Sequence, residues 1–423
     1  RMYQKKNIHF VGIGGIGMSA IAEVLHQKGF SITGSDISEN QIIKRLKKKG
    51  IKIFLNHSAK NIIKVDLLVY SSAIKANNIE LKIAKKNKLP ILSRAMMLSE
   101  VMRLKPSITV SGSHGKTTTT SLLATILESS NLDPTIINGG IINSLKVNAK
   151  LGQGQWIVAE ADESDGSFVF LPSTIGIINN IDLEHLDFYK DINELKSAFV
   201  KYASNIPFYG FLAICIDDKN IRDIQKMLFT KKIVTFGLSS KANFYAANIR
   251  TIKFKNIFHT RFDIVENLQK KRTIRDITIP LLGTHNVQNT LAAYSVAKGL
   301  DISDKEIKKA LISYQGVKRR FSILFKSSQN MIIDDYAHHP KEIDSTLKSL
   351  RIITKKSIIS IFEPHRYSRI HGMLNDFISS FVESDYIFIL PIYGAGETNE
   401  KKIDNEFLAN LMKKKLKKKI FVI

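Results

Sequence analysis

One stretch limits the folds open to this chain more than any other. It is Ser111-Gly112-Ser113-His114-Gly115-Lys116-Thr117, set between an apolar run, Ser107–Val110, and a helical pattern that continues through Glu128. Glycines let the backbone curl until successive N–H groups point inward, forming a cradle for phosphate oxygens at the positive end of a helix. Lys116 then neutralises β- and γ-phosphates, and Thr117 offers its hydroxyl to Mg²⁺. The standard spacing of such loops asks for glycine where Val110 stands, so an ordinary strand–turn–helix is the competing reading. On either reading a strand runs straight into a helix, and the surrounding block is α/β.

A second glycine loop opens the chain. Gly12-Ile13-Gly14-Gly15-Ile16-Gly17 follows a short strand, Ile8–Val11, and precedes a helical pattern from Met18 to Lys28. Asp36 closes the next strand, nineteen residues after Gly17. This is the dinucleotide fingerprint, with glycines at a pyrophosphate and an acid at ribose hydroxyls. By itself it means a diphosphate-linked nucleotide, and a nicotinamide dehydrogenase and a UDP-sugar protein share it. A separate phosphate loop for ATP argues against simple hydride transfer.

At 423 residues the chain calls for two or three domains. Strand and helix patterns alternate in three blocks, which we set at 1–105, 106–315 and 316–423. Pro106 makes a hinge after a helix ending near Leu104. In the central block strands are expected at Trp156–Ala159 and Thr174–Ile178, a β-rich stretch over Ile233–Ile279, and a helix over Leu291–Lys298. The third block has strand patterns at Met331–Ile333, Ile358–Phe362, Tyr386–Leu390 and Phe421–Ile423. Its lysine-rich Lys413–Lys419 reads as a solvated helix face. Crossovers of this kind are right-handed and parallel, with ligands at strand C-termini.

Two acidic clusters follow central strands. Glu160, Asp162, Glu163 and Asp165 fall within six positions and would repel one another without cations or amide donors nearby. Oxygen ligands at a strand end facing a phosphate loop are what Mg²⁺–ATP requires. The second cluster, Asn179 to Asp187, contains His185, which reads either as a metal ligand or as a structural loop histidine.

Composition removes several function classes. No apolar run reaches the length of a membrane span. The basic start is followed by the glycine-interrupted Ile8–Ile16 without a small-residue cleavage site, so no signal peptide is expected. The single cysteine, Cys215, excludes an intrachain disulfide and fits a reducing cytoplasm. A formal charge of +25 invites a nucleic-acid reading, but lysine is spread through nearly every segment rather than gathered on one face. No nucleic-acid partner is expected.

Taken together, Gly12–Met18, the Ser111–Thr120 loop, Ala159–Asp165, Asn180–His185, Gly283-Thr284-His285-Asn286, Gly316–Phe321, Asp334–Pro340 and Pro364–Arg369 stand in the order found in Mur ligases. The chain resembles that family from about Ile8 to beyond Gly394. The resemblance implies three domains: a Rossmann-like N-terminal domain for the UDP part of a substrate, a central P-loop-type ATPase domain and a Rossmann-like C-terminal domain. It implies ATP-dependent joining of L-alanine to UDP-N-acetylmuramate in peptidoglycan precursor synthesis, with ATP and Mg²⁺ required. A relative adding a preformed peptide to the same nucleotide sugar is the nearest alternative, and a dehydrogenase a more distant one.

Residue by residue, the resemblance puts Gly14, Gly15, Ile16 and Gly17 at the diphosphate and Asp36 near the ribose or uracil. His57, Ser71 and Ser72 are further contacts there. Gly112, Ser113, His114, Gly115, Lys116, Thr117 and Thr118 hold ATP phosphates, while Thr117, Glu160 and His185 bind metal. Asn286 and Asn289 lie near adenine, Arg320 reaches the phosphates and Asp335 the ATP ribose. Tyr336, His338, His365, Arg366 and Arg369 surround the incoming amino acid, whose carboxylate needs fixed donors such as arginine's planar fork. The catalytic set is Lys116, His185, Arg320 and His338, with His338 the suggested base. Lys201 corresponds to a lysine carbamylated in sibling ligases. Family members usually continue beyond the equivalent of Ile423, so the third domain is expected to lack a final strand and helix.

Overall fold

The computed structural model describes residues 6–423 except 145–146, 184–187, 229–231, 255–256 and 400–401. The first sheet contains β1 (Asn7–Val11), β2 (Ser31–Ser35), β3 (Lys52–Phe54), β4 (Leu67–Tyr70) and β5 (Ile91–Ser93), all parallel, in the order β3-β2-β1-β4-β5. The order reverses between β1 and β4, which opens a crevice at their C-terminal ends. The glycine loop leaves β1 at that point and enters the helix Ile16–Gln27.

The central sheet is built from β6 (Ser107–Ser111), β7 (Thr135–Ile142), β8 (Val147–Lys150), β9 (Ile157–Glu160), β10 (Ile175–Ile178), β11 (Phe211–Cys215), β12 (Ile233–Gly237), β13 (Phe244–Phe254), β14 (Ile257–Asn267) and β15 (Lys271–Ile279). Its order is β15-β14-β13-β12-β11-β10-β6-β9-β7-β8. β6, β10 and β11 are buried along their whole length, as strands covered on both faces must be. β13, β14 and β15 form an antiparallel wing, so the expected β-rich stretch over Ile233–Ile279 resolves into four strands. The helix expected over Leu291–Lys298 runs longer, Thr284–Gly299.

In the third block β16 (Ser322–Lys326) and β17 (Met331–Asp334) pair only with each other as an antiparallel hairpin. β18 (Ile359–Phe362), β19 (Tyr386–Ile389) and β20 (Lys419–Val422) form a parallel sheet. The Met331–Ile333 pattern therefore makes a strand outside the parallel sheet. Lys413–Lys419 is also not one helix face. The helix Asn405–Lys415 ends inside it, and Lys419 already begins β20. Three lysines in the last helical turn complement the negative end of the helix.

Apolar packing explains how the parts are joined. One continuous core runs from Ile8 and Phe10 through Val101 and Met102 into the central sheet and on to Tyr314. The third block packs around its own core, including Phe362, Phe377 and Ile387. It meets the central block through polar groups, and the linker is pinned by a bridge between Ile142 and Val317.

Candidate active site

The phosphate loop lies where β6 ends, with β9 on one side and β10 on the other. Gly112 has φ +130°, and a Cβ there would come within 3.1 Å of the backbone nitrogens of Asn179 and Asn180. The loop is fastened to the segment after β10. His114 N donates to Asn180 Oδ1 at 2.7 Å, Ser113 N to Asn180 O at 3.2 Å, and Asp182 N to Ser113 Oγ at 2.8 Å. Lys116 curls back over the loop, donating to Gly112 O at 2.7 Å and to Glu163 Oε2 at 2.8 Å. Glu163 is fully buried.

Glu160 stands at the end of β9 beside the loop. Its Oε1 accepts from Gly139 N at 2.7 Å, and it shares a hydrogen bond with Thr117. Burial raises its pKa against the pull of Gly139, Lys116 and Thr117. The Thr117 hydroxyl and this carboxylate are adjacent hard oxygens next to a phosphate cradle, a set suited to Mg²⁺. No cluster of three or more His, Cys, Asp or Glu side chains arranged for a metal exists among the described residues. His185 lies outside them.

Two cavities of about 330 Å³ each meet at this loop. The first lies between the central and third blocks and is lined by His114, Thr118, Asn286, Asn289, Arg320 and Asp335 among others. The second reaches the first domain at Gly17 and Arg94 and includes Lys116, Glu160, Arg320 and His338. Gly115, Thr117, Arg320 and Glu342 line both.

Several expected residues already have protein partners. Asn286 donates to Leu282 O at 2.8 Å, and Asn289 donates to Asn286 Oδ1 at 3.2 Å while accepting from Thr119. These asparagines brace the loop helix from behind as well as lining the cavity. Asp335 accepts from Phe321 N at 3.0 Å and Ala337 N at 2.8 Å, and burial raises its pKa. Asp36 accepts from Gly14 N at 2.8 Å and so holds the first glycine loop in shape. His57 belongs to a polar cluster with Ser35 and the buried Glu80, at 3.0 and 3.2 Å. Ser71 packs against Gly12, while Ser72 is exposed. Lys201 sits over the Phe170 ring at 5.1 Å, outside both cavities.

The third-domain residues form a connected run. The Tyr336 and His338 rings are 5.1 Å apart, those of His338 and His365 6.0 Å, and Arg369 reaches His365 Nδ1 at 3.3 Å. Arg366 diverges toward Glu397 at 3.9 Å. Burial lowers the pKa of His338, and burial with the Arg369 charge takes His365 down to about 4. Both imidazoles are therefore neutral near pH 7.

Three groups escaped the sequence reading, and a fourth, Glu163, stands there only as one of four clustered acids. Glu163 neutralises Lys116. Arg94 touches Asp162 at 3.5 Å and lies against Gly17, joining the first and central domains. Lys341 pairs with Asp182 across the central and third blocks. Glu342 lies between His114, Arg320 and His338. The last had a visible signal, since His339-Pro340-Lys341-Glu342 is a capping-box spacing with proline at the first helical position.

A Rossmann-type sheet feeding a phosphate-loop domain, closed by a third α/β block, matches three family models in sequence. They are the Mur ligase family catalytic domain at residues 7–106, the Mur ligase middle domain at 110–297 and the Mur ligase glutamate ligase domain at 319–423. The chain belongs to the Mur ligase family and is an ATP-dependent amide-bond-forming ligase. It is 48% identical over 415 residues to UDP-N-acetylmuramate–L-alanine ligase of Rickettsia bellii, covering 97% of this chain and 87% of that protein. The same enzyme of Rickettsia felis is 48% identical over 413 residues, with 97% and 86% covered. Among solved structures, UDP-N-acetylmuramate–alanine ligase MurC from Thermotoga maritima superposes with a TM-score of 0.83 at 29% identity, over 99% of this chain and 90% of that one. A murein peptide ligase from Psychrobacter arcticus shares the fold, with a TM-score of 0.77 at 23% identity, over 99% and 90% of the two chains. The dehydrogenase reading of the first glycine loop is thereby set aside. No helix among the described residues is long and apolar enough to cross a membrane.

Proposed function

We propose that this protein joins L-alanine to the carboxylate of UDP-N-acetylmuramate, using ATP and Mg²⁺, in peptidoglycan precursor synthesis in the cytoplasm. In this reading residues 1–105 take the UDP part, 106–315 take ATP, and 316–423 supply the amino-acid site. The observation that carries it is the phosphate loop acting as a common wall between two cavities, one open to the first domain and one facing the third. A triphosphate seated on that wall would meet an acid arriving from the first domain.

A carboxylate and an ammonium do not condense directly, because hydroxide leaves poorly. In the proposed sequence a substrate carboxylate oxygen attacks the γ-phosphorus, the bond to the β-phosphate oxygen breaks and ADP departs. The L-alanine amine then attacks the acyl carbon, and the C–O bond to phosphate breaks as phosphate leaves. Such transfer demands charge neutralisation and alignment more than covalent help. Lys116 from the loop and Arg320 from the linker supply positive charge. Thr117, Glu160 and His185 would hold Mg²⁺, which supplies further charge neutralisation at the phosphates when bound. Neutral His338 is suited to take the proton the amine must lose. Arg369, buried beside His365, and Arg366 would receive the amino-acid carboxylate. Gly14, Gly15, Ile16, Gly17, Asp36, His57, Ser71 and Ser72 would receive the UDP moiety.

The deciding experiment measures phosphate release from ATP with UDP-N-acetylmuramate, with and without amine. L-Alanine should stimulate release strongly and a tripeptide should not. Preference for the tripeptide would transfer the chain to the peptide-adding branch. No release with either would end the ligase reading.

A further inference from the structure

The wall between the two cavities contains a carboxylate for which the reaction above has no chemical task. Glu342 is half-buried among His114, Arg320 and His338. Its Oε1 lies 3.7 Å from His114 Nδ1 and 3.6 Å from Arg320 Nη1, and its Oε2 lies 3.6 Å from His338 Nδ1. Oε2 also accepts from the backbone N–H of His338 at 3.1 Å and of His339 at 3.4 Å. Burial disfavours its charge, yet the hydrogen bond from His114 and the Arg320 charge hold its pKa well below the usual carboxylate range. One anion thus meets the phosphate loop through His114, the linker through Arg320 and the third domain through His338.

We propose that Glu342 is a positioning residue for the ligase reaction: it fixes Arg320 and His338 toward the shared wall and ties them to the phosphate loop through His114. This rests on the ligase reading given above. The helix Pro340–Ile353 explains why the anchor is rigid, because the same carboxylate closes its capping box and cannot swing without uncapping it. Arg320 needs such an anchor. It follows Arg319 and precedes Phe321, both with positive φ (59° and 49°), in a turn with little regular structure. Its guanidinium also faces the Tyr336 ring, 5.9 Å away. Unanchored, a long cation has several rotamers, and a near-attack geometry tolerates few of them.

The test compares wild type with Glu342→Gln and Glu342→Asp. Glutamine can still cap the helix but lacks the charge, while aspartate keeps both on a stem one methylene shorter. Amine-dependent phosphate release is measured with all three substrates, together with thermal midpoints. Positioning predicts kcat in the order Glu, Asp, Gln, with at least a tenfold fall for Gln at an unchanged thermal midpoint. The KM for UDP-N-acetylmuramate should stay within about twofold, since that nucleotide's expected contacts lie in the first domain. A cap-only role predicts wild-type kcat in Gln, or a kcat that follows the midpoint, and either result overturns the proposal. Should Gln fail to fold, the Glu–Asp pair decides, with a three- to tenfold drop expected and equal kcat overturning it. An inactive wild type would instead refute the ligase reading.

Discussion

Gly115→Ala tests how tightly the phosphate loop is locked to the helix behind it. Gly115 has φ +79°, and an added Cβ would lie 2.4 Å from Asn289 Oδ1. A left-handed backbone costs alanine about 1–2 kcal/mol. Asn289 cannot yield freely, because it donates to Asn286 and accepts from Thr119, both at 3.2 Å. Displacing it forfeits about 1 kcal/mol of hydrogen bonding and overpacks a buried site by about 1–3 kcal/mol. The sum is roughly 3–6 kcal/mol, and at about 2–4 °C per kcal/mol for a unit of this size the midpoint should fall by roughly 6–24 °C. The single tryptophan, Trp156, precedes β9 in the same sheet, so its fluorescence follows this unit. Asn289→Ala removes the obstacle but not the backbone strain. In that background Gly115→Ala should therefore be less damaging by about 1–3 kcal/mol. Additivity within about 0.5 kcal/mol, or a single-variant shift below about 3 °C, would refute the steric argument.

Further outcomes follow from the same site. Lys116→Ala should abolish turnover and also lower stability by about 3–5 kcal/mol, because Glu163 is left buried without its cation. Adding Glu163→Gln should restore the midpoint but not the activity, and near-normal turnover in either variant would remove Lys116 from the mechanism. Glu80 is held at a pKa of about 2, where burial is outweighed by hydrogen bonds from His9, Ser35 and Asn61. A depressed carboxyl stabilises the fold above its ordinary pKa, and that contribution is lost as pH falls from about 4.5 toward 2. Between pH 6 and pH 3.5, Glu80→Gln should therefore lose about 1 kcal/mol less urea stability than wild type; equal losses would contradict the assignment. Chelating Mg²⁺ should stop phosphate release reversibly while leaving the nucleotide-free thermal midpoint unchanged, as expected of an ion that arrives with ATP.

Local chain chemistry carried most of the architecture. Glycine loops between strand and helix marked both crevices, since only certain backbones can bend there, and apolar runs marked the parallel strands around them. The pairing of β17 with β16 was not legible, because a strand pattern names its buried face and not its neighbour. Lys413–Lys419 misled for a related reason: lysine suits both a helix C-terminus and an exposed strand start. Among site residues, sequence order located those whose chemistry is local, such as Lys116 and Glu160. Glu163, Arg94, Lys341 and, through His114, Glu342 meet partners 47 or more positions away. Nothing in their own neighbourhoods announces those partners.

The carboxylate resting on Lys116 changes what nucleotide affinity means for this enzyme. On the proposed reading a triphosphate arriving at Lys116 would compete with Glu163 for the ammonium, trading one anion for another instead of filling an electrostatic void. Measured binding then reports a preference of phosphate over carboxylate, which is small beside the full attraction of either. An exchange of that kind would be easily reversed, and it would let the lysine take back its own glutamate each time ADP leaves.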